Sequence, residues 1–213
     1  MRVDSFYIHD MYFAKTPRLL KPVFSRLTWN IQTDEQEVYL TFDDGPTSEL
    51  TDEILGILGD YGAKATFFCV GANVEKHPEK YQRIIDQGHR VANHTFNHIS
   101  GWKVSTEAYV QNTQKAASYI DSKLFRPPYG RIKRNQSKAL IELGYRIIMW
   151  DVLSGDFDSK TSAEQTVSNI LKNVSKGSIV VMHDNTKFRE KVLYGLPKIL
   201  QGLKERGYQF KLL

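Results

Sequence analysis

Short apolar runs alternate with amphipathic segments along the chain from about residue 37 onward. The intervening segments, such as the one carrying Ala116, Ala117 and Ile120, space their apolar residues as an amphipathic helix does. Repeated strand–helix alternation predicts parallel strands joined by crossover helices, as an incomplete (β/α) barrel or an open doubly wound sheet. The runs that predict strands are Glu37–Phe42, Ala65–Val70, His89–Asn93, Leu124–Arg126, Arg146–Asp151, Ser178–Met182 and Tyr208–Leu212.

Turn and cap residues separate these elements at consistent places. A glycine follows five of the helical patterns, where it can end a helix in the left-handed conformation: Gly62, Gly88, Gly144, Gly177 and Gly207. Helix starts are predicted at Thr51-Asp52-Glu53 and at the capping-box pattern Thr161–Glu164. Because nothing resembles a linker, residues 35–213 are predicted to form one domain. Residues 1–34, with the basic and apolar stretch Pro17–Trp29, are predicted to form a strap over the barrel, with a membrane-surface contact as the alternative.

Composition and charge narrow the possible partners. The hydrophobic share of 41% and charged share of 25% fit a globular domain rather than a disordered or membrane protein. The formal net charge is +5, but the basic residues are scattered and no basic run reaches five, so no nucleic-acid partner is expected. Cys69 is the one cysteine, which excludes an internal disulfide and a cysteine-rich structural zinc site. It lies in an apolar run and is expected to be a small buried residue.

The hydrophobic pattern predicts neither a transmembrane segment nor a secretory signal. No stretch approaches eighteen apolar residues, so no transmembrane segment is expected. Charged residues interrupt every candidate hydrophobic region near the N-terminus, which predicts a cytoplasmic protein. Met11 is a second possible start, and a different natural N-terminus would allow a location in the cell envelope.

Charged and metal-ligating residues cluster at the predicted strand ends. Asp43 and Asp44 follow the first strand, and His94 and His98 follow the third. Because the carboxyl ends of parallel barrel strands share one face, these side chains are expected to meet at one rim. The same rim is predicted to receive Arg126, Asp151, His183 and Asp184 from later strands.

The rim residues predict a catalytic metal site. If His94 and His98 form one helical turn, their i, i+4 spacing places both side chains on one face. Two histidines and a carboxylate make a three-ligand set for zinc or a similar divalent metal, with coordination positions left open for catalysis. Either of the adjacent aspartates can supply that carboxylate, while the other accepts a proton from the attacking water. His183, from the opposite side of this rim, can protonate a leaving amine.

Three motifs resemble those of a known family. Thr41-Phe42-Asp43-Asp44-Gly45-Pro46, His94-Thr95-Phe96-Asn97-His98 and Arg126-Pro127-Pro128-Tyr129-Gly130 occur in the order and spacing found in the polysaccharide deacetylases. This family is also called the NodB-homology family or carbohydrate esterase family 4, and the similarity covers about residues 35–213. It implies a distorted (β/α) barrel with fewer than eight strands, about seven.

The resemblance also implies a role for each motif residue. Asp44, His94 and His98 would bind the metal, and Asp43 would be the catalytic base, oriented by Arg126. Tyr129 would offer its backbone N–H to the oxyanion. In the later motifs His183 would be the general acid, held and charged by Asp156.

Two positions depart from the family pattern. Phe157 stands where a tryptophan is usual, and Val181 stands where a leucine is usual. Both positions line the pocket for the acetyl methyl group in the family, and Pro128 is assigned to substrate binding with them. The replacements remain apolar, so the resemblance implies that the chemistry is kept while the fit of the substrate differs.

The expected function is metal-dependent removal of acetyl groups from N-acetylglucosamine-type sugars, in peptidoglycan or a chitin-like polymer. Zinc is the expected metal, with cobalt or nickel as alternatives, and an N-acetylated carbohydrate is the expected partner. Two alternatives stay open: an O-acetyl esterase on xylan-like carbohydrate, and a sugar-binding protein that has lost its activity. The oligomeric state has no sequence signal.

Overall fold

Strands and helices alternate through the chain as the hydrophobic pattern predicts. The computed structural model describes residues 13–17 and 26–213. Within them the strands are β1 Glu37–Asp43, β2 Thr66–Cys69, β3 Arg90–Asn93, β4 Leu124–Phe125, β5 Arg146–Ile147, β6 Val152–Leu153, β7 Ser178–His183 and β8 Gln209–Phe210. The helices are α1 Leu50–Asp60, α2 Gly71–Lys76, α3 Pro78–Asp86, α4 Thr106–Ala117, α5 Arg134–Glu142, α6 Ala163–Asn173 and α7 Arg189–Glu205.

The strands form one parallel sheet in the order β5-β4-β3-β2-β1-β7-β6. Strand β8 is a short addition that pairs with the start of β1, at Glu37 and Val38, while β2 pairs with the end of the same strand. The seven strands of the main path and their outer helices make a distorted (β/α) barrel in a single domain. The predicted fold class is therefore confirmed, and the doubly wound alternative is wrong.

Alternation along the strands divides the core into two layers. In β1, Val38, Leu40 and Phe42 pack in the cluster that also contains the buried faces of α1 and α7. Tyr39 packs in a second cluster, formed by the opposite faces of the strands, together with Phe68 and Ile179. Because successive strand side chains point to opposite faces, Asp43 shares the inner face with Tyr39. Strand β7 is in register with β1, and Asp43 is paired with His183.

One predicted strand is much shorter in the structure. The prediction of a strand over Arg146–Asp151 is wrong beyond Ile147, because β5 ends there and pairs with β4, whereas the next strand, β6, begins at Val152 and pairs with β7. Asp151 therefore precedes a strand instead of ending one, and its carboxylate accepts hydrogen bonds from Ser178 at 2.5 Å and Lys15 at 2.5 Å. The prediction that Asp151 lies at the catalytic rim is wrong.

The N-terminal segment contacts the barrel at three isolated bridges among the described residues. Thr28 bridges to Ile148 after β5, Lys15 bridges to Val152 in β6, and Asn30 bridges to Ser178 in β7. Much of the predicted strap segment 1–34, namely residues 1–12 and 18–25, lies outside the described residues. Among the described residues, no helix is long and apolar enough to cross a membrane.

Local signals are confirmed at several helix ends. Ser162 caps α6 by accepting a hydrogen bond from the backbone N–H of Gln165. Helix α1 begins at Leu50, close to the predicted Thr51, although Glu49 makes no side-chain cap. All five predicted glycines have positive φ, and Gly62, Gly88, Gly144 and Gly207 directly follow the C-cap of a helix. The prediction that Gly177 caps a helix is wrong, because α6 ends at Asn173 and Gly177 lies in the turn before β7. The backbone is packed most tightly at Gly177, where an added Cβ would lie 1.8 Å from the carbonyl oxygen of Ile31.

Candidate metal and catalytic centre

Three side chains converge where the loops after β1 and β3 meet. One ligand atom from each of Asp44, His94 and His98 lies within 4.8 Å of the others. Oδ1 of Asp44 is 3.1 Å from Nε2 of His98 and 3.7 Å from Nε2 of His94. Two imidazoles and one carboxylate, gathered in this way, fit a divalent metal that prefers nitrogen and oxygen ligands.

The loop that carries both histidines is not a helical turn. Thr95 and His98 have left-handed φ values of 64° and 53°, which a helix does not contain. Buried Asn93 accepts a hydrogen bond from the N–H of Thr95 at 2.9 Å, and Asn112 accepts from the N–H of Phe96. Because two of the five residues from His94 to His98 are left-handed, the predicted helical turn is wrong, although the two histidine side chains still converge.

Each histidine has a partner on its second ring nitrogen. Nδ1 of His94 is 2.8 Å from the carbonyl oxygen of Arg126, which fixes Nδ1 as the donor and leaves Nε2 free to bind a metal. Nδ1 of His98 is 3.1 Å from the hydroxyl of Tyr129. Burial lowers the pKa of His94 to about 4, although the charge of Asp43 opposes the shift. The ring is therefore neutral at physiological pH, as a metal ligand must be.

Asp44 is held by two asparagines that the sequence analysis did not single out. Its backbone has a φ of 80°, its carbonyl oxygen accepts from Asn73 at 2.7 Å, and its Oδ2 accepts from Asn185 at 2.9 Å. Burial alone would raise the pKa of Asp44. The hydrogen bond from His98 and the charges of His183, His94 and His98 outweigh burial and lower this pKa well below its usual range. The carboxylate therefore stays ionised with Oδ1 directed to the histidines.

Asp43 lies beside the ligand set and is paired with a buried arginine. Arg126 has no exposed surface, and its Nη1 donates to Oδ1 of Asp43 and to Oγ1 of Thr41, each at 2.6 Å. The remaining guanidinium nitrogens donate to the carbonyls of Ile148 and Met149, at 3.3 and 3.0 Å. Removing one partner of such a buried pair typically costs about 3–5 kcal/mol, because the other charge is left uncompensated.

His183 and Asp156 form a second charged pair across the cleft. Nδ1 of His183 is 2.7 Å from Oδ1 of the fully buried Asp156, whose Oδ2 accepts the backbone N–H of His183 at 2.8 Å. Burial alone would lower the pKa of His183, but the charge and hydrogen bond of Asp156 outweigh it and raise the pKa to about 9. The ring is thus held as imidazolium at neutral pH, with Nε2 as its free donor.

A cavity of about 590 Å³ joins these groups. It is lined by Asp43, His94, His98 and His183, and its apolar wall consists of Trp150, Leu153, Phe157, Val181 and Phe188. The ring of Phe157 packs edge-on against His183 at 5.3 Å between centroids. The two residues that depart from the family pattern therefore lie together in this wall.

The loop after β4 contributes to the same cavity. Tyr129 is 60% exposed, with a left-handed φ of 60° that is strained for a bulky side chain. Pro127 lines the cavity, whereas Pro128, which the sequence assigns to substrate binding, is buried within the loop. Arg126 and Asp156 lie behind Asp43 and His183 and do not line the cavity.

Asp184 is a further buried residue of the centre. It accepts hydrogen bonds from the hydroxyls of Thr47 at 2.8 Å and Thr51 at 2.5 Å, so it fixes the loop that follows Asp44. Burial raises the pKa of Asp184 to about 6, although both hydroxyls oppose the shift. Cys69 is buried nearby, and burial raises the pKa of its thiol, which agrees with its predicted role as a small core residue.

Comparisons with known proteins agree with this geometry. Residues 30–148 match the family described as polysaccharide deacetylase. A peptidoglycan-N-acetylglucosamine deacetylase of Bacillus cereus is 33% identical over 190 residues, covering 86% of this chain and 89% of that protein.

Solved structures give the same result. A peptidoglycan N-acetylglucosamine deacetylase in complex with 4-naphthalen-1-yl-N-oxidanyl-benzamide has a TM-score of 0.86 at 33% identity, over 93% of this chain and 95% of that one. A mutant of a family 4 carbohydrate esterase pseudoenzyme with restored activity has a TM-score of 0.76 at 26% identity, over 85% and 67% of the two chains. The chain therefore belongs to the polysaccharide deacetylase family, carbohydrate esterase family 4.

Proposed function

We propose that this protein is a metal-dependent hydrolase that removes the acetyl group from N-acetylglucosamine units of a glycan. The observation that carries the proposal is the complete set of groups in one cleft. A three-residue metal site lies between a carboxylate–arginine pair and a histidine–aspartate pair. Peptidoglycan is the first candidate substrate, since the relative from Bacillus cereus is named for it.

Asp44, His94 and His98 would hold the metal, for which zinc is the first choice and cobalt or nickel are alternatives. A metal in this site would act as a Lewis acid and lower the pKa of water beside it. The ligand in the related structure supports this assignment, because an N-oxidanyl amide is a hydroxamic acid, a class of compound that chelates divalent metals.

Asp43 acts as the base. Its carboxylate lies beside the metal ligands and lines the cavity, where it accepts a proton from the water that attacks the acetyl carbonyl carbon. Arg126 binds Oδ1 of Asp43, which leaves Oδ2 as the acceptor and fixes the direction of the carboxylate. The arginine is thus a positioning residue, because it does not reach the cavity.

His183 acts as the acid. Asp156 holds its Nδ1 proton and keeps the ring charged, so Nε2–H faces the cavity and can donate to the departing nitrogen. The carbon–nitrogen bond then breaks, and the products are acetate and a free amine. The backbone N–H of Tyr129 would stabilise the negative oxygen of the tetrahedral intermediate, and Phe157 and Val181 would contact the acetyl methyl group.

The test is acetate release from an N-acetylglucosamine oligomer and from acetylated xylan, with wild type and His183→Asn. We expect faster release from the amide substrate, and a loss of about 10²–10⁴-fold in the variant on that substrate. Faster release from xylan would support an O-acetyl esterase. Absence of release from both, by a protein shown to hold metal, would support a sugar-binding protein that has lost its activity.

A further inference from the structure

The segment that joins the two ends of the sheet also forms part of the catalytic cavity. The path of the sheet ends at β5 and β6, and residues 148–151, the crossing segment, lead from one to the other. Trp150 from the crossing segment and Leu153 from β6 line the cavity. A Cβ added at Gly130 would lie 2.6 Å from the ring of Trp150, so this ring packs against the loop after β4. The shape of the cavity therefore depends on where the crossing segment lies.

Two carbonyl groups of the crossing segment hold the buried arginine of the centre. Nε of Arg126 donates to the carbonyl oxygen of Ile148 at 3.3 Å, and its Nη2 donates to that of Met149 at 3.0 Å. Its third nitrogen, Nη1, donates to Oδ1 of Asp43 at 2.6 Å. Because a guanidinium is planar and its donors have a fixed geometry, a shift of either carbonyl group would turn the side chain that orients Asp43. The crossing segment therefore helps to position the proposed base.

The N-terminal segment forms backbone hydrogen bonds near both ends of the crossing segment. The N–H of Thr28 donates to the carbonyl oxygen of Ile147 at 2.9 Å, and the carbonyl oxygen of Thr28 accepts from the N–H of Met149 at 2.7 Å. On the side of β6, the carbonyl oxygen of Ala14 accepts from the N–H of Leu153 at 2.9 Å. The N-terminal segment thus pairs with backbone groups at both edges of the sheet, where strands present unpaired N–H and C=O groups.

Lys15 and Thr16 bind the last two residues of the crossing segment. Oγ1 of Thr16 donates to the carbonyl oxygen of Trp150 at 2.8 Å, and its N–H donates to the carbonyl oxygen of Asp151 at 2.9 Å. Nζ of Lys15 lies 2.5 Å from Oδ2 of Asp151 and 2.8 Å from the carbonyl oxygen of Asn173, at the end of α6. The side chain of Asp151 is 3% exposed, and a charge-assisted bond to a carboxylate is among the stronger hydrogen bonds. These contacts fix the crossing segment to the N-terminal segment.

We propose that Lys15 and Thr16 are positioning residues for the deacetylation reaction. They hold the crossing segment, which in turn holds Arg126 against Asp43 and places Trp150 in the wall of the cavity. The inference rests on the proposed function. It adds to that function a part of the chain that lies outside residues 35–213, over which the family resemblance extends.

Neither residue touches the groups that hold the metal. Both lie outside the lining of the catalytic cavity and of a second cavity, of about 730 Å³, which Asp44, Asn97 and Asn185 line. The hydrogen bonds described for Asp44, His94 and His98 do not come from the crossing segment. Loss of the contacts of Lys15 and Thr16 should therefore leave zinc affinity unchanged.

The kinetic effect of these contacts should appear mainly in kcat. The direction of the Asp43 carboxylate matters when the attacking water loses its proton, and an interaction that counts only in the transition state changes kcat rather than KM. A misplacement of about 1 Å caused by a distant substitution can lower the rate by about 10²-fold, which sets the upper end of the effect. A purely structural role would instead lower the free energy of unfolding and leave kcat of the folded protein unchanged.

The experiment measures kcat and KM for acetate release from an N-acetylglucosamine oligomer, with zinc-loaded protein at a temperature where every variant is folded. Lys15→Met removes the cation, and Thr16→Val removes the hydroxyl donor while keeping the backbone N–H. We expect kcat to fall by about 10–10²-fold in Lys15→Met and to fall also in Thr16→Val, with a smaller change in KM. Thr16→Ser keeps the hydroxyl and should have a kcat close to that of wild type. Zinc affinity by dye competition should be equal in all four proteins.

The matched control is Thr166→Val. Thr166 is also buried, and its hydroxyl also donates to a backbone carbonyl, that of Ser162 at 3.2 Å, but at the start of α6. This variant should keep the kcat of wild type even where it lowers the free energy of unfolding as much as Thr16→Val does.

Amide hydrogen exchange tests the same contacts without measuring activity. Exchange at Met149 and Leu153, whose N–H groups donate to the N-terminal segment, should become faster in Lys15→Met and Thr16→Val but not in Thr166→Val. Unchanged exchange at both amides, or a kcat in both N-terminal variants equal to that of Thr166→Val, would overturn the inference. Acetate release by wild type would still support the proposed function in that case. Absence of release by wild type would contradict the proposed function and, with it, this inference, so the two failures are distinguishable.

Discussion

The adjacent aspartates of the first motif have different surroundings, and this separates their roles. Asp44 points Oδ1 at both histidines and binds Asn185 through Oδ2, so its charge is committed to the ligand set. Oδ1 of Asp43 accepts a hydrogen bond from Arg126, and Asp43 also lines the cavity, where Oδ2 is its remaining carboxylate oxygen. The proposed base and the proposed metal ligand are therefore adjacent residues with different surroundings.

Replacing each aspartate with asparagine should therefore give different defects. We expect Asp43→Asn to bind zinc almost normally while kcat falls by about 10²–10⁴-fold, the usual size of general-base catalysis. Asp44→Asn should weaken zinc binding, because an amide replaces an anionic ligand. Zinc affinity by competition with a chelating dye and acetate release would be measured on the same samples. Equal loss of zinc in both variants, with kcat retained in Asp43→Asn, would contradict these roles.

A third residue-scale prediction concerns Asp156 and the pH–rate profile. A group whose pKa is raised, here His183, keeps its proton until the pH passes that pKa, so an acid role predicts a rate that falls on the alkaline side. Asp156→Asn removes the charge that raises the pKa, and the alkaline limb should move to lower pH. A bound cation would itself lower the pKa of His183, so the informative quantity is the difference between the variant and wild type.

The same variant separates amide from ester substrates. A departing amine requires the proton from His183 more than an ester leaving group does, so Asp156→Asn should slow N-deacetylation more than hydrolysis of a simple acetyl ester. An unshifted alkaline limb, with both substrates slowed alike, would remove Asp156 from the mechanism. Asp151 would not replace it, since its carboxylate is bound to Lys15 and Ser178.

Asn185 provides a test of how the ligand carboxylate is oriented. Loss of a hydrogen bond behind a metal ligand typically reduces metal affinity about 10–100-fold. We expect Asn185→Ala to bind zinc more weakly by that factor, measured by dye competition without substrate. Asn97→Ala is the control, because Asn97 lines the same cavity but is not among the partners described for Asp44. Equal zinc affinity in the two variants would show that Asn185 does not position Asp44.

At the scale of elements, the loops that follow β1, β3, β4, β6 and β7 build the centre, and the local sequence predicts the conformation of these loops only in part. Strand alternation correctly places Asp43 and His183 on one face, because both lie on regular strands in register. The loop after β3 could not be predicted, since its conformation depends on Asn112 from α4, distant in sequence. Asn73 and Asn185 gave no signal for the same reason: their role exists only once Asp44 is beside them.

The loop after β1 is packed too closely for a side chain at Gly45. A Cβ there would lie 2.1 Å from Oδ2 of Asp184, which is itself fixed by Thr47 and Thr51. Gly45→Ala should therefore lower the free energy of unfolding by about 1–3 kcal/mol and weaken zinc binding, because the loop must move. Gly56→Ala is the matched control, since nothing lies within 4 Å of its added Cβ on α1.

The control substitution Gly56→Ala should leave the free energy of unfolding unchanged or raise it by about 0.5–1 kcal/mol, because alanine is a better helix former than glycine. Urea denaturation of the three proteins would measure both effects. A Gly45→Ala protein as stable as wild type, with unchanged zinc affinity, would show that the contact with Asp184 does not constrain this loop.

At the scale of the whole molecule, the barrel brings both charged pairs to one cleft. The hydrophobic pattern predicted its strands well where apolar runs are bounded by glycine and polar residues. It failed at Arg146–Asp151, because only the first two residues of this run form a strand. The sheet's path ends at β5 and β6, and the chain passes from one end of the sheet to the other between Ile147 and Val152, so the break follows from the sheet topology rather than from local sequence.

The family motifs identified candidate catalytic residues that the hydrophobic periodicity could not identify. Asp156 carries no local mark of catalysis, yet the structure places it against His183, and Arg126 lies wholly buried behind Asp43. The assigned roles of these residues remain predictions for this chain. The domain boundary near residue 34 and the cellular location also remain predictions.

The central claim is that hydrolysis of an N-acetyl group requires a metal at Asp44, His94 and His98. The most direct test is to strip the protein with a chelator and measure acetate release from an N-acetylglucosamine oligomer while zinc is restored, counting bound zinc in each sample. The account predicts that release disappears on stripping, returns in proportion to zinc up to about one ion per chain, and does not return in His94→Ala. Full release from protein shown to be free of metal would contradict it.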